Sequence, residues 1–305
     1  MGARPHSSLS ETKRRFQLGA AALPYLLILP TVLFVTVFTL YPALRVGYDS
    51  LFLNNNAVQN PQFAGAGNYT ALLADPTFGQ VVLNTCLYVI VTVPVSIFLA
   101  LVLAILLNRK FRALGLYRLA FFYPTVLPMV SAATIWLFMY TPDYGLVNLL
   151  VQLFHLPSQN WLGETGLALF ALMLLGIWKQ TGYFMIFYLA GLQALPHDVF
   201  EAAELDGANP IQAARYLTLP LLTGTTLFVT TIAVVNAFET VDQIYIMTGG
   251  GPNNATNMLL FDLWQTLFSF NDLGQASALS VILIAVLLIF TVTNFVYSER
   301  RATYE

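Results

Sequence analysis

The sequence predicts an all-α membrane protein with six transmembrane helices and a cytoplasmic helix–turn–helix loop between the fourth and fifth helices. Of its 305 residues, 57% are hydrophobic and only 9% are charged, whereas soluble domains carry about 25% charged residues. The mean hydropathy is +0.70, and six charge-poor intervals can each supply the roughly 20 apolar residues that cross a bilayer. So few charges could not cover the surface of a soluble enzyme, so that class is excluded.

Net charge and cysteine content exclude further classes. The net charge of −2 gives no positive field that would attract nucleic acid, so we predict no nucleic-acid partner. The single Cys86 cannot form an internal disulfide, which excludes a secreted disulfide scaffold. The hydrophobic content excludes a disordered chain. What remains is a helical protein of the lipid bilayer.

The six predicted spans occupy the intervals between charged residues. They are residues 16–44, 76–108, 119–142, 165–197, 216–238 and 273–298. Only the fourth interval holds a charge well inside it, at Lys179. The first interval is too long for the apolar core of a signal peptide and is interrupted by Pro24 and Pro30. We therefore predict an N-terminal tail over 1–17 and a retained first span over 18–45.

The distribution of basic residues predicts the orientation. Lys and Arg concentrate in the N-terminal tail, after the second span and at the C-terminus: Arg4, Lys13, Arg14, Arg15, Arg109, Lys110, Arg112, Arg118, Arg300 and Arg301. Loops 46–80, 141–164 and 239–272 contain neither residue type. Because basic residues mark cytoplasmic loops, both termini are predicted to be cytoplasmic, including a C-terminal tail over 298–305. The loop near 193–215 is then cytoplasmic too, although it is mostly acidic.

No catalytic, metal or nucleotide site is recognisable in the sequence. His6, His155 and His197 lack the spacing of metal ligands. The glycine run 249–251 is not followed by the Lys-Ser/Thr of a phosphate loop, so we interpret it as a flexible turn on the outer face. We predict no enzymatic activity, no catalytic residue, no metal site and no cofactor bound by the chain itself.

The cytoplasmic loop 195–222 is predicted to be structured rather than a plain connector. Asp198 is a candidate N-cap for a short helix, with Glu201 three residues on. Gly207 ends that helix where a left-handed conformation is favoured. Asn209 and Pro210 open a second helix. A thin helix with a bulky apolar residue suits insertion into a partner's groove; the alternative is a connector on lipid headgroups, which its negative charge disfavours.

This loop resembles the EAA loop of ABC-importer permeases. The family pattern is Glu-Ala-Ala, three residues, Gly, nine residues and Ile-x-Leu-Pro, and it is matched here with Leu217 in place of Ile. The residues that the resemblance assigns to coupling with an ATPase are Glu201, Ala202, Ala203, Asp206, Gly207, Leu219 and Pro220. Residues 201–208, the Trp-Lys pair at 178–179 and segments 236–239 and 248–252 are most similar to first permeases of the subset that imports sugars and glycerol-3-phosphate.

The resemblance implies an assembly and a mechanism. The shared core would cover 82–297, with the EAA loop at 198–220 and the first span as an addition. A second EAA-loop permease would complete the translocation path, and a homodimer of ATP-binding cassette subunits would hold ATP and Mg. An extracytoplasmic solute-binding protein would deliver the solute to the outer loops. ATP-driven closure would move the loop helix as a lever in a bacterial or archaeal cytoplasmic (inner) membrane.

Polar residues inside the spans are the candidates for the solute path. A Lys at the centre of a span costs about 2.5–3.5 kcal/mol, so Lys179 is expected to find a partner, with Glu239 and Asp242 as candidates. The path candidates are Trp178, Lys179, Gln180, Tyr183, Asn236 and Glu239. For each of them, and for Asn84, a contact between helices is the alternative role.

The alternative function is an ion-gradient-driven secondary transporter of a small polar solute. That class requires acids or an ion cage within the membrane, and the predicted spans contain no central Asp or Glu. The sequence therefore favours the ATP-driven importer.

Overall fold

The structure, a computed structural model, describes residues 24–57, 60–108 and 112–302. The predicted tail 1–17, the beginning of the first span, and the basic residues Arg109 and Lys110 lie outside the described residues. Within them, four helices are long and apolar enough to cross a membrane: α1 (Pro24–Asp49), α3 (Pro76–Leu107), α7 (Thr165–Ala194) and α13 (Leu273–Ala302, apolar over Leu273–Val296). These four helices overlap the predicted first, second, fourth and sixth spans.

Shorter elements connect the long helices. They are β1 (Phe52–Leu53), β2 (Gln62–Phe63), α2 (Gly67–Ala74), α4 (Leu114–Val126), α5 (Met129–Met139), α6 (Leu146–Leu153), α8 (His197–Leu205), α9 (Pro210–Leu221), α10 (Thr223–Phe238), α11 (Asp242–Met247) and α12 (Leu259–Phe268). β1 and β2 pair antiparallel, with Phe52 opposite Phe63.

Two pairs of helices are sharply bent where the sequence predicts single spans. α4 and α5 meet at 102°, and α9 and α10 meet at 68°. The described residues therefore hold four continuous spans, or six if each bent pair is one span. The first bend follows from Pro124 inside α4 and Pro128 at the N-cap of α5, because proline lacks the N–H that continues a helix.

The central helix α7 packs closely on its neighbours through glycines. A Cβ added at Gly176 would lie 2.3 Å from the Tyr88 hydroxyl of α3, and one at Gly182 would lie 1.9 Å from the Phe121 carbonyl oxygen of α4. Small residues allow this approach between membrane helices. α1, by contrast, has no buried residue in its apolar window, so its surface faces outward from the chain.

Candidate functional site

A cavity of about 200 Å³ lies among the central helices. Its wall is built from α3, α5, α7, α10 and the segment that leads into α11. The polar side chains that line it are Tyr88, Thr92, Ser96, Gln180, Asn236, Glu239, Thr240, Asp242 and Gln243. The cavity therefore offers hydroxyl, amide and carboxylate groups between apolar walls, as small-molecule sites commonly do.

Gln243 is the most deeply placed of these polar groups. It is fully buried, and its Nε2 donates to the Tyr88 hydroxyl oxygen at 2.6 Å. Its Oε1 has no hydrogen-bond partner in the part of the chain that the structure describes. Buried polar atoms are normally satisfied, so this unpaired oxygen is an exception beside the cavity.

Three of the six predicted path candidates line this cavity. The Nδ2 of Asn236 lies 3.4 Å from the Oε1 of Gln180, which links α10 to α7, and Glu239 is exposed in the wall. The other three are Trp178, Tyr183 and Lys179, and the structure does not place them in the cavity wall. Trp178 packs against Trp136, with ring centroids 5.6 Å apart. The role of these candidates in transport stays a prediction.

Tyr183 and the residues missed by the sequence analysis have structural explanations. Tyr183 makes an edge contact with Phe187 at 5.1 Å, so its ring serves packing. Gln243 and Tyr88 were not predicted as candidates. Gln243 lies in a segment predicted to be an outer loop, and Tyr88 is one of many apolar-span aromatics. Only the fold brings them together, across 155 positions of sequence.

Among the described residues Lys179 does not pair with an acid, and the expectation of Glu239 or Asp242 as its partner is wrong. Its Nζ donates to the carbonyl oxygen of Pro124 at 3.1 Å and to that of Leu127. These carbonyls lie at the bend between α4 and α5, where the helical hydrogen bonds stop. The charge is therefore satisfied by backbone dipoles.

The loop 195–222, predicted to be cytoplasmic, has the predicted helix–turn–helix form, with one correction. α8 begins at His197 and its N-cap is Pro196, not Asp198. Asp198 lies in the first turn, where a carboxylate still interacts favourably with the helix dipole. The cap of the second helix is as predicted: the Asn209 side chain accepts from the Gln212 N–H, and the Gln212 side chain accepts from the Asn209 N–H, both at 2.9 Å.

Gly207 occupies the left-handed position that ends α8, with φ +81°. Its N–H donates to the Glu204 carbonyl, and the Ala208 N–H donates to the Ala203 carbonyl. This pair of bonds is a Schellman motif, in which glycine is favoured because it has no Cβ. The turn between the two helices is thus fixed by backbone hydrogen bonds.

The second helix of the loop continues as predicted to the start of α10, but with an irregular turn. Residues Ala214–Thr218 form a π-turn, and the Leu219 N–H donates to the Ala214 carbonyl. Pro220 follows immediately and cannot donate to the helix. Leu219 and Pro220, which match the end of the EAA-loop pattern, therefore lie where α9 changes direction into α10.

The bulky apolar residue of the predicted first helix, Phe200, does not form the outward face of the loop. Phe200 is half-buried and lines a cavity of about 530 Å³ between α8 and the ends of α3 and α7. Leu205 and Ile211 are instead 90% and 79% exposed. Glu201, Ala202 and Asp206 are also exposed, and Ala203 is half-buried. The two most exposed bulky apolar side chains of the loop are therefore Leu205 and Ile211.

The glycine run 249–251 lies in a turn, as predicted, and the turn is closed by hydrogen bonds. Gly249 and Gly250 have φ of +58° and +87°. The Thr256 hydroxyl donates to the Gly251 carbonyl at 2.7 Å. Asn84 of α3 donates to the carbonyls of residues 254 and 257 at 2.8 and 3.0 Å. Asn84 thus bonds α3 to the backbone of the segment that follows the glycine run.

Comparisons with known proteins agree with this geometry. Residues 64–300 match the family model described as binding-protein-dependent transport system inner membrane component. The sulfoquinovosyl glycerol transport system permease protein of Agrobacterium fabrum is 34% identical, covering 91% of this chain and 91% of that protein. The trehalose/maltose transport system permease protein of Thermococcus litoralis is 32% identical, covering 89% and 92%. The sn-glycerol-3-phosphate transport system permease protein of Agrobacterium fabrum is 32% identical, covering 92% and 96%.

The fold is also similar to a solved one. A chain from the crystal structure of a bacterial ABC transporter involved in the import of the acidic polysaccharide alginate has a TM-score of 0.81 and 19% identity. The similarity covers 94% of this chain and 99% of that chain. At this level of identity the comparison concerns the arrangement of the helices.

Proposed function

The chain belongs to the family of binding-protein-dependent transport system inner membrane components, and from that premise we propose the solute, the path and the partners of this permease. It is the transmembrane subunit of an ABC importer. The solute that we propose is polyhydroxylated, either a sugar or a glycerol-3-phosphate-like compound, as the names of its relatives suggest. ATP is hydrolysed in a partner subunit.

The observation that carries this proposal is the polar lining of the central cavity. The buried Oε1 of Gln243 lacks a partner among the described residues, and the amides of Gln180 and Asn236 line the same cavity. Carbonyl oxygens and amide N–H groups together are the complement of a hydroxyl, which both donates and accepts. A sugar or glycerol derivative presents several hydroxyls, so it matches this lining.

The partners follow from the two faces of the molecule. We propose that Leu205 and Ile211 contact one of two ATP-binding cassette subunits, since they are the two most exposed apolar side chains of the cytoplasmic loop. A second EAA-loop permease would close the far side of the path, and an extracytoplasmic binding protein would dock on the outer loops. This arrangement requires six spans, with each bent pair as one span, and both termini in the cytoplasm.

Transport measured in proteoliposomes tests the function. The chain is reconstituted with its co-purifying subunits and binding protein, and uptake of labelled disaccharide and of glycerol-3-phosphate is followed. We expect uptake with ATP and none with an imposed ion gradient alone. Uptake driven by the gradient without ATP would contradict the proposal and establish the secondary transporter.

A matched pair of variants tests the path. Asn236→Leu removes a cavity amide, so the half-saturating solute concentration should rise by about tenfold, because one hydrogen bond is worth about 1 kcal/mol and an unpaired partner costs more. Asn294→Leu is the control, since Asn294 bonds α10 outside the cavity wall. Equal effects in both variants would show that Asn236 only holds helices together.

Labelling of introduced cysteines tests the orientation. In a Cys86→Ser background, Asn253→Cys should react with an impermeant thiol reagent from outside, and Gln212→Cys only after permeabilisation. Both residues are exposed. Reaction of residue 253 only from the cytoplasmic side would contradict the topology.

A further inference from the structure

We propose that Lys179 is a positioning residue: its ammonium group caps the carbonyl end of α4 and so holds the bend that places Met129 in the cavity wall. The bend itself is independent of what the cavity transports. Only the consequence for solute affinity rests on the proposed function.

The bend leaves carbonyl oxygens that no helical amide reaches. In an α-helix the carbonyl of residue 124 would accept from the N–H of residue 128, but residue 128 is proline and has no N–H. Leu127 is extended, with φ −67° and ψ 134°, so α4 ends before it. Within a membrane, an unpaired carbonyl has no water to bond. The Nζ of Lys179 donates to both Pro124 and Leu127 and replaces the missing donors.

No acid competes for this ammonium group among the described residues. The ion pair found there joins Arg45 and Asp49 at the other end of the chain. Glu239 and Asp242 are exposed in the cavity wall. The ammonium group of Lys179 thus donates two charge-assisted hydrogen bonds to carbonyls of the bend, and such bonds are stronger than neutral ones.

One short segment of α7 touches both arms of the bend. Gly182 lies against the backbone of Phe121 in α4, at a distance that leaves no room for a Cβ. Trp178 packs on Trp136 in α5. Lys179 lies between these two contacts and bonds the corner. Three consecutive features of α7 therefore fix α4, the corner and α5.

The corner matters for transport because α5 begins at the cavity. Met129 is the first residue of α5 and lines the cavity together with Gln180 and Asn236. If the carbonyls lose their donor, α5 is free to tilt about Leu127 and Met129 moves with it. The cavity then changes shape although no lining residue has been replaced.

A distance measurement tests the bend directly. The full chain, in complex with its co-purifying subunits in nanodiscs, carries Cys86→Ser and spin labels at Leu119→Cys in α4 and Phe138→Cys in α5, both exposed. We expect one narrow distance distribution with Lys179 and with Lys179→Arg, which retains two donors. Lys179→Met, of similar length but without a donor, should shift or broaden the distribution.

Transport kinetics provide the second readout. In Lys179→Met the half-saturating solute concentration should rise at least fivefold at an unchanged amount of inserted protein, and Lys179→Arg should restore it. If Lys179→Met fails to insert, Lys179→Leu replaces it, because its side chain also carries no donor and no charge and should move the distance in the same direction. A distance distribution identical to that of the parent protein, in either uncharged variant, would overturn the proposal.

The two proposals fail separately. A complex that imports none of the tested solutes, but whose α4–α5 distance still changes in Lys179→Met, would refute the proposed function and leave the positioning role intact. An unchanged distance in a complex that does import sugar would refute only the positioning role.

Discussion

Replacing Gly182 with alanine is expected to force α7 and α4 apart. The new Cβ would lie 1.9 Å from the Phe121 carbonyl oxygen and 3.0 Å from its carbonyl carbon. Since real Cβ atoms stay at least 3.0 Å from such neighbours, the helices must separate by at least 1.1 Å (3.0 − 1.9). Overpacking costs about 1–3 kcal/mol, and the clash is with backbone, so the upper end applies. The gain in helix propensity offsets about 1 kcal/mol, which leaves a net loss of about 2 kcal/mol.

Thermal unfolding of the purified chain in detergent measures this loss. Gly166→Ala is the matched control, because Gly166 lies on the same helix and an added Cβ meets nothing within 4 Å. The control should unfold at the same temperature as the parent protein or higher, and Gly182→Ala should unfold lower. If Gly182→Ala is as stable as the control, α7 and α4 do not touch through their backbones and the support for the Lys179 bend weakens.

Three further predictions concern Gly207, Asp262 and Asn148. Gly207→Val, at φ +81°, should cost about 1–3 kcal/mol of local strain and weaken pull-down of the ATPase at unchanged insertion, while Gly207→Asn, which tolerates this conformation, should not. Burial raises the pKa of Asp262 above its usual 3.8, although the Asn257 side chain bonds to it. The free energy of unfolding of the wild type therefore falls as pH rises above 3.8, because the buried carboxyl group must ionise. Asp262→Asn should accordingly unfold at a higher temperature than the wild type at neutral pH, and at the same temperature below about pH 4. A higher unfolding temperature of the variant at every pH would exclude a charge effect. Asn148→Leu removes four hydrogen bonds of the loop 141–164 and should lower the free energy of unfolding by about 3 kcal/mol. The control Gln152→Ala removes one exposed hydrogen bond and should change the free energy of unfolding by less than about 0.5 kcal/mol. Equal unfolding temperatures of the two variants would contradict this prediction.

Features that depend only on residues close by in the sequence were predictable from it. Gly207 and Asn209 act through hydrogen bonds to residues within five positions, and such capping rules are local. Asp198 failed as a cap because Pro196 precedes it. The fixed φ of proline suits the residue that enters a helix, so α8 begins directly after Pro196 and Asp198 is displaced into the first turn.

The long helices were predictable to the extent that hydropathy determines them. α3, α7 and α13 begin at residues 76, 165 and 273, where the charge-poor intervals predicted spans. The interval 119–142 contains Pro124 and Pro128, but a proline predicts only that a helix kinks or ends. The angle of 102° depends on what packs against each arm, which hydropathy does not contain.

The Lys179 contact shows why a search restricted to opposite charges was insufficient. A lysine inside a span costs about 2.5–3.5 kcal/mol, and an unpaired carbonyl in hydrocarbon also costs several kcal/mol. Each penalty is relieved by the other group, so the pairing needs no acid. A proline leaves the carbonyl four residues before it without its helical donor, and Pro128 does so for residue 124. A span that contains a proline should therefore be considered, beside Asp and Glu, as the partner of a lone basic residue in a neighbouring span, and only the fold then decides which candidate lies within reach.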